Sequence, residues 1–446
     1  MHGRTLTRQQ WGARKRPRWL ITVFAWLLSS FAVAQPVAPP ATPAGHVLGA
    51  WLEAFNSGED SRLAAFTEKY QWRDALATQL ARRRQSGGYE LTGVRQSEPQ
   101  RVEFFLKARA DGQRLLARMS VNASDSPSVT SMYFAALPAG DAPVIGFAID
   151  PQTRDQVIEQ TIEKLQGMYI LPATGKRLSD FLRLHLKHHD YNLVTEGDVL
   201  AFTLTAQMRE LSRDRHLAVH FSPVRLPEDL TGPDPQRRLS QQRHNCWFDK
   251  VETLPDSVGY VKLDAFESVE DCSPTAVAAM GFLANSDALI FDLRDNGGGD
   301  PGMVAFLCSY LFGTPTHLND VFDRSSNTTR QSWTLAEVPG KRLPSVPVYV
   351  LTSARTFSGA EEFSYSLQSL KRATIVGEVT GGGAHLVRPE RLDDRFFIDM
   401  PFARAVNPVT NTDWEGRGVQ PDVVVAAEDA LTTAQKLARE KLKGGT

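Results

Sequence analysis

The spacing of hydrophobic and polar positions changes twice along the chain. An early apolar stripe at helical spacing is followed by two strand-like runs, which are joined through Asp111-Gly112, a strong hairpin signal. The next segment is helical in pattern, as in DQVIEQTIEKLQGMYI, where apolar residues recur at helical intervals. Strands then alternate with helices. These patterns predict a small α+β domain, a helical subdomain and an α/β core, at residues 46–140, 150–222 and 223–446 respectively.

The strongest strand signals lie in the predicted α/β core. SVGYVKLDAF, DALIFDLRDN, VPVYVLTSA and RATIVGEVT are strand-like, and TFSGAEEFSYSLQSL predicts a helix between the last two. Strands that alternate with helices at this spacing indicate a parallel sheet with helical crossovers. RFFIDMPF and QPDVVV predict further strands, and the residues from Asp429 onward predict a closing helix.

The N-terminal segment has the pattern of a targeting signal. A basic stretch at residues 14–18 precedes an apolar run at residues 19–34, which ends in the small residues Ala-Val-Ala. This pattern predicts a signal peptide at residues 1–34, followed by a Pro-rich linker at residues 35–45. Export to the periplasm or the extracellular space is therefore expected. A membrane tether remains open if the segment is not cleaved, because the run is long for a signal core.

Composition narrows the possible functions. The 446 residues carry a net charge of −1, which gives no sign of nucleic-acid binding. Export would expose the three cysteines to an oxidising compartment, and a Cys246–Cys272 disulfide is one hypothesis. Cys308 lies in an apolar helical stretch and is expected to be a buried free thiol. The sequence contains no metal-binding spacing and no phosphate-loop motif, so no metal or cofactor is expected.

Two loops follow buried strands of the predicted sheet. One contains Gly297, Gly298 and Gly299, and the other places Ser358 before Gly359 at the start of a helix. Parallel strands bring such loops to the same edge, where ligands bind. The free amides of a helix N-terminus stabilise negative charge, and glycines let backbone amides approach a substrate as an oxyanion hole requires. The alternative is a serine that only caps its helix, beside an ordinary glycine turn.

A serine hydroxyl becomes a strong nucleophile only when a base accepts its proton. His216 in SRDRHLAVHF is one candidate, and His220 would share its face along a strand. His385 is another candidate, because its loop follows a sheet strand, and Glu415 is a candidate orienting acid. Each of them has the alternative of an ordinary surface or hydrogen-bonded residue, and spacing alone does not choose among them.

Four motifs carry a family resemblance. DALIFDLRDNGGG, VYVLTSARTFSGAEEF, TIVGEVTGGGAH and WEGRGVQPDV, in this order, resemble the tail-specific (C-terminal processing) serine peptidases. SRDRHLAVHF and the helical region before it resemble the interphotoreceptor retinoid-binding-protein-like branch of that family. The resemblance runs from about residue 150 to the C-terminus and implies a crotonase-like core. The pattern at residues 46–140 is similar to the cystatin-like cone fold, for which a structural or docking role is expected, with ligand binding as the alternative.

The resemblance implies a role for each site residue. Ser358 matches the nucleophile, and the amide of Gly359 with one amide of the glycine loop matches the oxyanion hole. In the branch related to the tricorn peptidase core, His216 matches the base and Glu415 matches an acidic site residue.

The sequence also departs from the family pattern. Gly383 occupies the position at which Ser–Lys members carry lysine, so no Ser–Lys dyad is expected. Arg215 replaces the serine that tricorn-like members place before the histidine, which leaves open how Glu415 couples to His216. Only about 35 residues separate HFSP from SVGYVKL, too few for the PDZ module of many relatives.

Two functions from different classes compete. The first is an exported serine peptidase that acts on peptides or unfolded protein tails. The second is a non-catalytic protein that binds a hydrophobic ligand on the same fold, as some relatives do. The presence of Ser358, His216 and Glu415 favours the peptidase, because a pure binding protein needs none of the three. The α+β domain contains no catalytic motif of its own.

Overall fold

The computed structural model describes four segments of the chain: residues 37–72, 76–137, 144–232 and 234–444. The predicted signal peptide and the first two linker residues lie outside the described residues. Within the described segments, no helix is both long and apolar enough to cross a membrane.

The N-terminal region packs helices on an antiparallel sheet. Its helices are α1 (Pro43–Asn56), α2 (Asp60–Lys69) and α3 (Leu76–Ser86). Its strands are β1 (Tyr89–Glu98), β2 (Arg101–Ala108), β3 (Arg114–Val121) and β4 (Val129–Ala136), which follow one another in the sheet. The hairpin between β2 and β3 is confirmed. Thr42 caps α1 by accepting a hydrogen bond from the amide of Gly45, so the helix begins inside the tract predicted as a linker.

The helical region ends in a short strand that leads into the site. Its elements are α4 (Pro151–Met168), α5 (Pro172–Lys187), α6 (Gly197–Ser212) and β5 (Ala218–Phe221). Arg213 adopts a left-handed conformation with φ of 63°, which ends α6. The turn between α6 and β5 therefore carries Asp214, Arg215 and His216. The buried Arg118 of β3 joins this region to the N-terminal sheet through an ion pair with Glu196 at 2.6 Å. The division into separate domains remains a prediction.

The C-terminal half contains the remaining elements. Its helices are α7 (Pro235–Arg243), α8 (Val269–Phe282), α9 (Pro301–Ser309), α10 (Gly359–Ser369) and α11 (Ala430–Lys443). Its strands are β6 (Phe248–Leu254), β7 (Val258–Leu263), β8 (Ala288–Asp292), β9 (His317–Asp323), β10 (Thr328–Trp333), β11 (Val348–Thr352), β12 (Thr374–Gly377), β13 (His385–Arg391), β14 (Phe396–Val406) and β15 (Val423–Val424).

The central sheet has the strand order β15-β12-β11-β8-β7-β6. All neighbouring pairs are parallel except β6 with β7, so the predicted parallel sheet is confirmed. Helices α8, α9 and α10 form a large apolar core with side chains on one face of the sheet. Helix α11 forms a smaller core with the intervening residues of the same strands, whose side chains lie on the other face. This alternation follows from strands whose successive side chains point to opposite faces.

A second sheet, which is antiparallel, lies outside the predicted arrangement. It has the order β10-β9-β14-β13, and β5 also pairs with β14. RFFIDMPF, which the sequence analysis placed with the α/β strands, forms part of β14 in this sheet. The short connection from β13 to β14 explains the difference, because a tight turn joins only antiparallel neighbours, whereas a parallel pair needs a long crossover.

The cysteines follow the sequence hypotheses. A disulfide joins Cys246, which precedes β6, to Cys272 in α8. Cys308 is a buried free thiol in α9. Both expectations are confirmed.

Hydrogen bonds hold together the two loops at the carboxyl edge of β8 and β11. The amide of Phe357 donates to the carbonyl of Asn296 over 3.0 Å. The hydroxyl of Thr356 donates to the carbonyl of Leu293 over 2.7 Å. The adjacency of the glycine loop and the Ser358 turn, expected from parallel strands, is thereby confirmed.

Candidate active site

Ser358 lies at the start of α10 in an unusual backbone conformation. Its φ of 52° and ψ of −118° are rare for a residue with a side chain. Such a conformation costs about 1–3 kcal/mol and persists only where the surroundings hold it in place. The amide of Ser358 donates to the carboxylate of Glu361 over 2.8 Å, which fixes the turn.

His216 faces the hydroxyl of Ser358. Its Nε2 lies 3.1 Å from Ser358 Oγ, within hydrogen-bond distance. The imidazole is buried, and its ring lies 4.6 Å from the ring of Phe357. Burial lowers the pKa of His216 to about 4, although the nearby Asp214 carboxylate opposes the shift. At neutral pH the imidazole is therefore uncharged, and Nε2 can accept the serine proton.

Asp214 is the acid that lies within 4 Å of the His216 ring, and it was not among the residues predicted for the site. Its Oδ1 accepts the backbone amide of His216 over 2.9 Å and lies 3.9 Å from the ring Nδ1. That Nδ1 is buried and has no hydrogen-bond partner among the described residues. The other oxygen of Asp214 accepts from His385 Nδ1 over 2.7 Å and from the hydroxyl of Tyr169 over 2.9 Å. An acid two positions before the candidate base was the available sequence signal.

Glu415 lies behind this acid and not beside His216. Its carboxylate accepts the amide of Ala384 over 2.6 Å and lies 3.8 Å from His385 Nδ1. Burial raises the pKa of Glu415 to about 7, against the opposing charge of His385. The structure therefore groups Glu415 with His385 and Asp214. This grouping is the connection between Glu415 and His216 that the sequence left open, because Asp214 also holds the backbone amide of His216.

The rival histidines have other partners. Burial lowers the pKa of His385, but the hydrogen bond and charge of Asp214 outweigh it and hold this pKa above its usual value. Burial likewise raises the pKa of Asp214, but the hydrogen bond and charge of His385 hold it below its usual value. His220 is paired with Asp399 at 2.8 Å and stacks on Phe397. The expected common face of His216 and His220 is wrong, because β5 begins only at Ala218 and His216 lies in the turn before it.

The acid–histidine cluster is also the one group of described residues whose ligand atoms could meet around a metal ion. Asp214, His385 and Glu415 place one such atom each within 4.8 Å of one another. His385 Nδ1 is already bonded to Asp214, and Glu415 is bonded to a backbone amide. Hydrogen bonding therefore accounts for the cluster.

Several glycine amides lie near Ser358. The amide of Gly298 is used, because it donates to the side chain of Asn296 over 2.8 Å. No described hydrogen bond uses the amide of Gly297, Gly299 or Gly359. A Cβ on Gly359 would lie 3.1 Å from the nitrogen of Gly299, so these two amides are neighbours. An oxyanion hole requires donors of this kind, two unused backbone amides close together.

Glu361 ties the serine turn to the loop before β13. Besides the amide of Ser358, its fully buried carboxylate accepts the amides of Gly382 and Gly383 over 2.7 and 2.8 Å and the hydroxyl of Thr380. Burial raises the pKa of Glu361 against these four donors. The sequence analysis did not single out this residue, whose position looks like an ordinary helix N-terminus.

The two departures from the family pattern have a physical explanation. A Cβ on Gly383 would lie 2.3 Å from the ring of Phe357 and 2.6 Å from Cε1 of His216, so no lysine fits there. Arg215 lies over the Phe357 ring, 4.8 Å from its centroid, and donates to the carbonyl of Gly381 over 3.0 Å. It braces the ring that packs on His216 and makes no contact with Glu415.

A serine that faces a neutral buried histidine, with an acid behind it and two unused amides beside it, has the composition of a serine hydrolase site. Comparisons with known proteins identify the family. The model described as peptidase family S41 matches residues 257–425, and that of the N-terminal domain of peptidase S41 in eukaryotic IRBP matches residues 152–244. Together the two models cover more than half of the chain. The chain belongs to peptidase family S41, the family of C-terminal processing peptidases.

Two curated relatives come from Arabidopsis thaliana. The chloroplastic carboxyl-terminal-processing peptidase 2 is 27% identical over 217 residues, 43% of this chain and 38% of the relative. The chloroplastic carboxyl-terminal-processing peptidase 1 is 27% identical over 192 residues, 42% of this chain and 37% of the relative. The match thus spans less than half the length of either relative.

Solved structures of peptidases are also similar. The photosystem II D1 C-terminal processing protease is 25% identical with a TM-score of 0.34, covering 42% of this chain and 48% of that one. The tricorn protease is 14% identical with a TM-score of 0.41, covering 79% of this chain and 41% of that one.

Proposed function

We propose that this protein is a serine peptidase that hydrolyses peptide bonds through an acyl-enzyme on Ser358, with His216 as the general base. The observation that carries the proposal is the 3.1 Å approach of His216 Nε2 to Ser358 Oγ, beside the unused amides of Gly299 and Gly359. Membership of peptidase family S41 supports the reaction type.

The proposed reaction uses each of these groups in turn. Ser358 Oγ attacks the peptide carbonyl carbon while its proton moves to His216 Nε2. The amides of Gly299 and Gly359 donate to the oxyanion of the tetrahedral intermediate. His216 then gives the proton to the leaving amine as the carbon–nitrogen bond breaks. Water, deprotonated by His216, attacks the acyl-enzyme and releases the acid and the free serine.

Asp214 is the proposed orienting acid for His216. Its oxygen lies 3.9 Å from His216 Nδ1, and this distance is expected to shorten when substrate closes the site. A carboxylate at that position favours the imidazolium that forms during attack. His385, Tyr169 and Glu415 surround Asp214 and keep its charge and orientation fixed. Glu415 thus acts in this proposal through His385.

The proposed substrates are peptides or unfolded protein tails, as the names of the curated relatives suggest. We also propose export with removal of residues 1–34, which the Cys246–Cys272 disulfide supports because such bonds persist in oxidising compartments. A crotonase-like core from about residue 223, a helical subdomain before it and a cystatin-like docking domain at residues 46–140 complete the proposal.

A serine-directed fluorophosphonate probe tests the chemistry directly. The unaltered protein is expected to label on Ser358 and to degrade unfolded casein. Ser358→Ala should abolish labelling and lower turnover by roughly 10³-fold or more. Ser369→Ala, on the same helix but at its far end, is the matched control and should retain both. Labelling or turnover that survives in Ser358→Ala would exclude this nucleophile.

A further inference from the structure

A small cavity opens beside the proposed nucleophile. It has a volume of ≈ 160 Å³ and is bounded on one side by Ser358 and Gly359. Its walls are largely apolar and include Leu386, Phe402 and Trp414. Glu362, in the first turn of α10, also lines the cavity and is the acidic residue in its lining.

Glu362 is a buried acid without a cationic partner. Only 7% of the residue is exposed, and no ion pair of the described residues involves its carboxylate. One oxygen accepts a hydrogen bond from Asn319 Nδ2 over 3.1 Å, and the other has no described hydrogen bond. Asn319 Nδ2 also donates a hydrogen bond to the hydroxyl of Ser366, and the side-chain oxygen of Asn319 has no described partner. The side-chain amide of Asn319 is therefore the donor in its contact with Glu362, and the carboxyl oxygen of Glu362 is the acceptor.

The charge of Glu362 is costly in this setting. Burial raises the pKa of Glu362 to about 7, against the opposing hydrogen bond from Asn319. Asp300 at the N-terminus of α9 raises the pKa of Glu362 further, and Arg330 on β10 lowers it. His385 also lines the cavity, and its Nδ1 is hydrogen-bonded to Asp214. An unpaired buried acid in a cleft is typical of functional sites, because packing alone favours an apolar residue there.

We propose that this cavity binds the side chain of the residue whose carbonyl Ser358 attacks, and that Glu362 selects a lysine or arginine there. The inference rests on the proposed peptidase function. The attacked carbonyl must lie next to Ser358, whose side chain lines the cavity, while the leaving amine must face His216, which does not line it. The cavity is therefore on the acyl side of the cut bond. A largely apolar cavity with a carboxylate in its lining suits a side chain that has a long aliphatic stem and ends in a cation.

Two matched peptides test the selectivity. They differ only at the residue before the cut, which is lysine in one and norleucine in the other, so that the stem is the same and only the ammonium differs. The unaltered protein is expected to prefer lysine by about tenfold or more in kcat/KM, because a buried polar partner discriminates strongly. In Glu362→Gln the ratio should fall to about one. Glu337→Gln, an exposed acid in the 334–347 connection, is the control and should keep the ratio.

The pH dependence of the same ratio gives a second measurement that needs no variant. Ionisation of Glu362 should raise the lysine-to-norleucine ratio as the pH increases through about 7, while effects of His216 cancel between the two peptides. An equal preference at all pH values, or an unchanged ratio in Glu362→Gln, would overturn the inference and leave the peptidase proposal intact. Absence of cleavage of both peptides together with an unlabelled Ser358 would overturn both.

Discussion

The carboxylate of Asp214 accepts a hydrogen bond from Nδ1 of His385 over 2.7 Å, although the two residues lie 171 positions apart. The same carboxylate holds the backbone amide of His216 through its other oxygen. One buried acid thus links the turn after α6 to the first residue of β13. Asp214 also connects His216 to Glu415 by way of His385. Arg215, which stands where tricorn-like relatives have a serine, takes no part in this connection and bonds to the carbonyl of Gly381.

Asp214→Asn should lower kcat by roughly 10²–10³-fold, because the amide cannot stabilise the imidazolium that forms on His216. A purely structural role would also lower stability, so the pH profile of kcat/KM is the decisive measurement. Loss of the carboxylate should move its acid limb to lower pH, since Asp214 raises the pKa of His216.

Glu415→Gln is the matched comparison for Asp214→Asn. Its carboxylate contacts His385 and the amide of Ala384, so a smaller loss of kcat is expected and the acid limb should stay close to that of the unaltered protein. A larger effect of Glu415→Gln than of Asp214→Asn would contradict the assignment of Asp214 as the orienting acid.

The acid limb of the unaltered protein is itself a prediction. His216 must be neutral to accept the serine proton, and burial lowers the pKa of His216 to about 4. Labelling of Ser358 by a fluorophosphonate should therefore rise with pH through about 4 and then remain level near neutral pH. The second-order labelling rate between pH 3 and 8 measures this. An acid limb near 7 would contradict the prediction and point to an acid such as Glu415, the pKa of which burial raises to about 7.

The central sheet and its loops were predictable because their signals are local. Continuous apolar runs such as the one that forms β8 identify buried parallel strands, and parallel strands bring the loops at their ends to one edge. This reasoning was sufficient to place Ser358 beside the glycine loop. The position of His216 relative to Ser358 was implied only by family resemblance. His216 precedes a strand of the second sheet, whereas Ser358 follows a strand of the central sheet.

The partners of His216 were not predictable either, because contacts between distant parts of the chain bring them together. Asp214 precedes His216 by two residues, but its second oxygen meets His385 only after β5 and β13 have both paired with β14. The second sheet forms through hairpins and long-range pairs whose alternating patterns are weaker than a buried apolar run. Glu362 was not predicted for another reason. The spacing of apolar and polar residues along α10 is that of an ordinary, partly polar helix, in which an acid in the first turn is expected to be exposed.

The Cys246–Cys272 disulfide should contribute about 3 kcal/mol to stability, because it closes a loop of moderate length in the unfolded chain. The double variant Cys246→Ser/Cys272→Ser should therefore unfold at a lower denaturant concentration. Unfolded but unreduced protein should react with one equivalent of a thiol reagent, from Cys308 alone. Three reactive thiols would show that the bond does not form, and equal stability with and without reductant would show that it does not stabilise the fold.

Gly383→Ala should lower activity by roughly 10²-fold or more, because misplacement of a catalytic group by about 1 Å carries such a cost. The added methyl group would lie 2.6 Å from Cε1 of His216 and 2.3 Å from the ring of Phe357, so the packed pair of rings must shift. Gly281→Ala in α8 is the control, since a Cβ there meets nothing within 4 Å and alanine favours a helix. Phosphonate labelling and casein turnover measure the effect, with circular dichroism to verify folding. Full labelling of a folded Gly383→Ala variant would contradict the assignment of His216 as the group that activates Ser358.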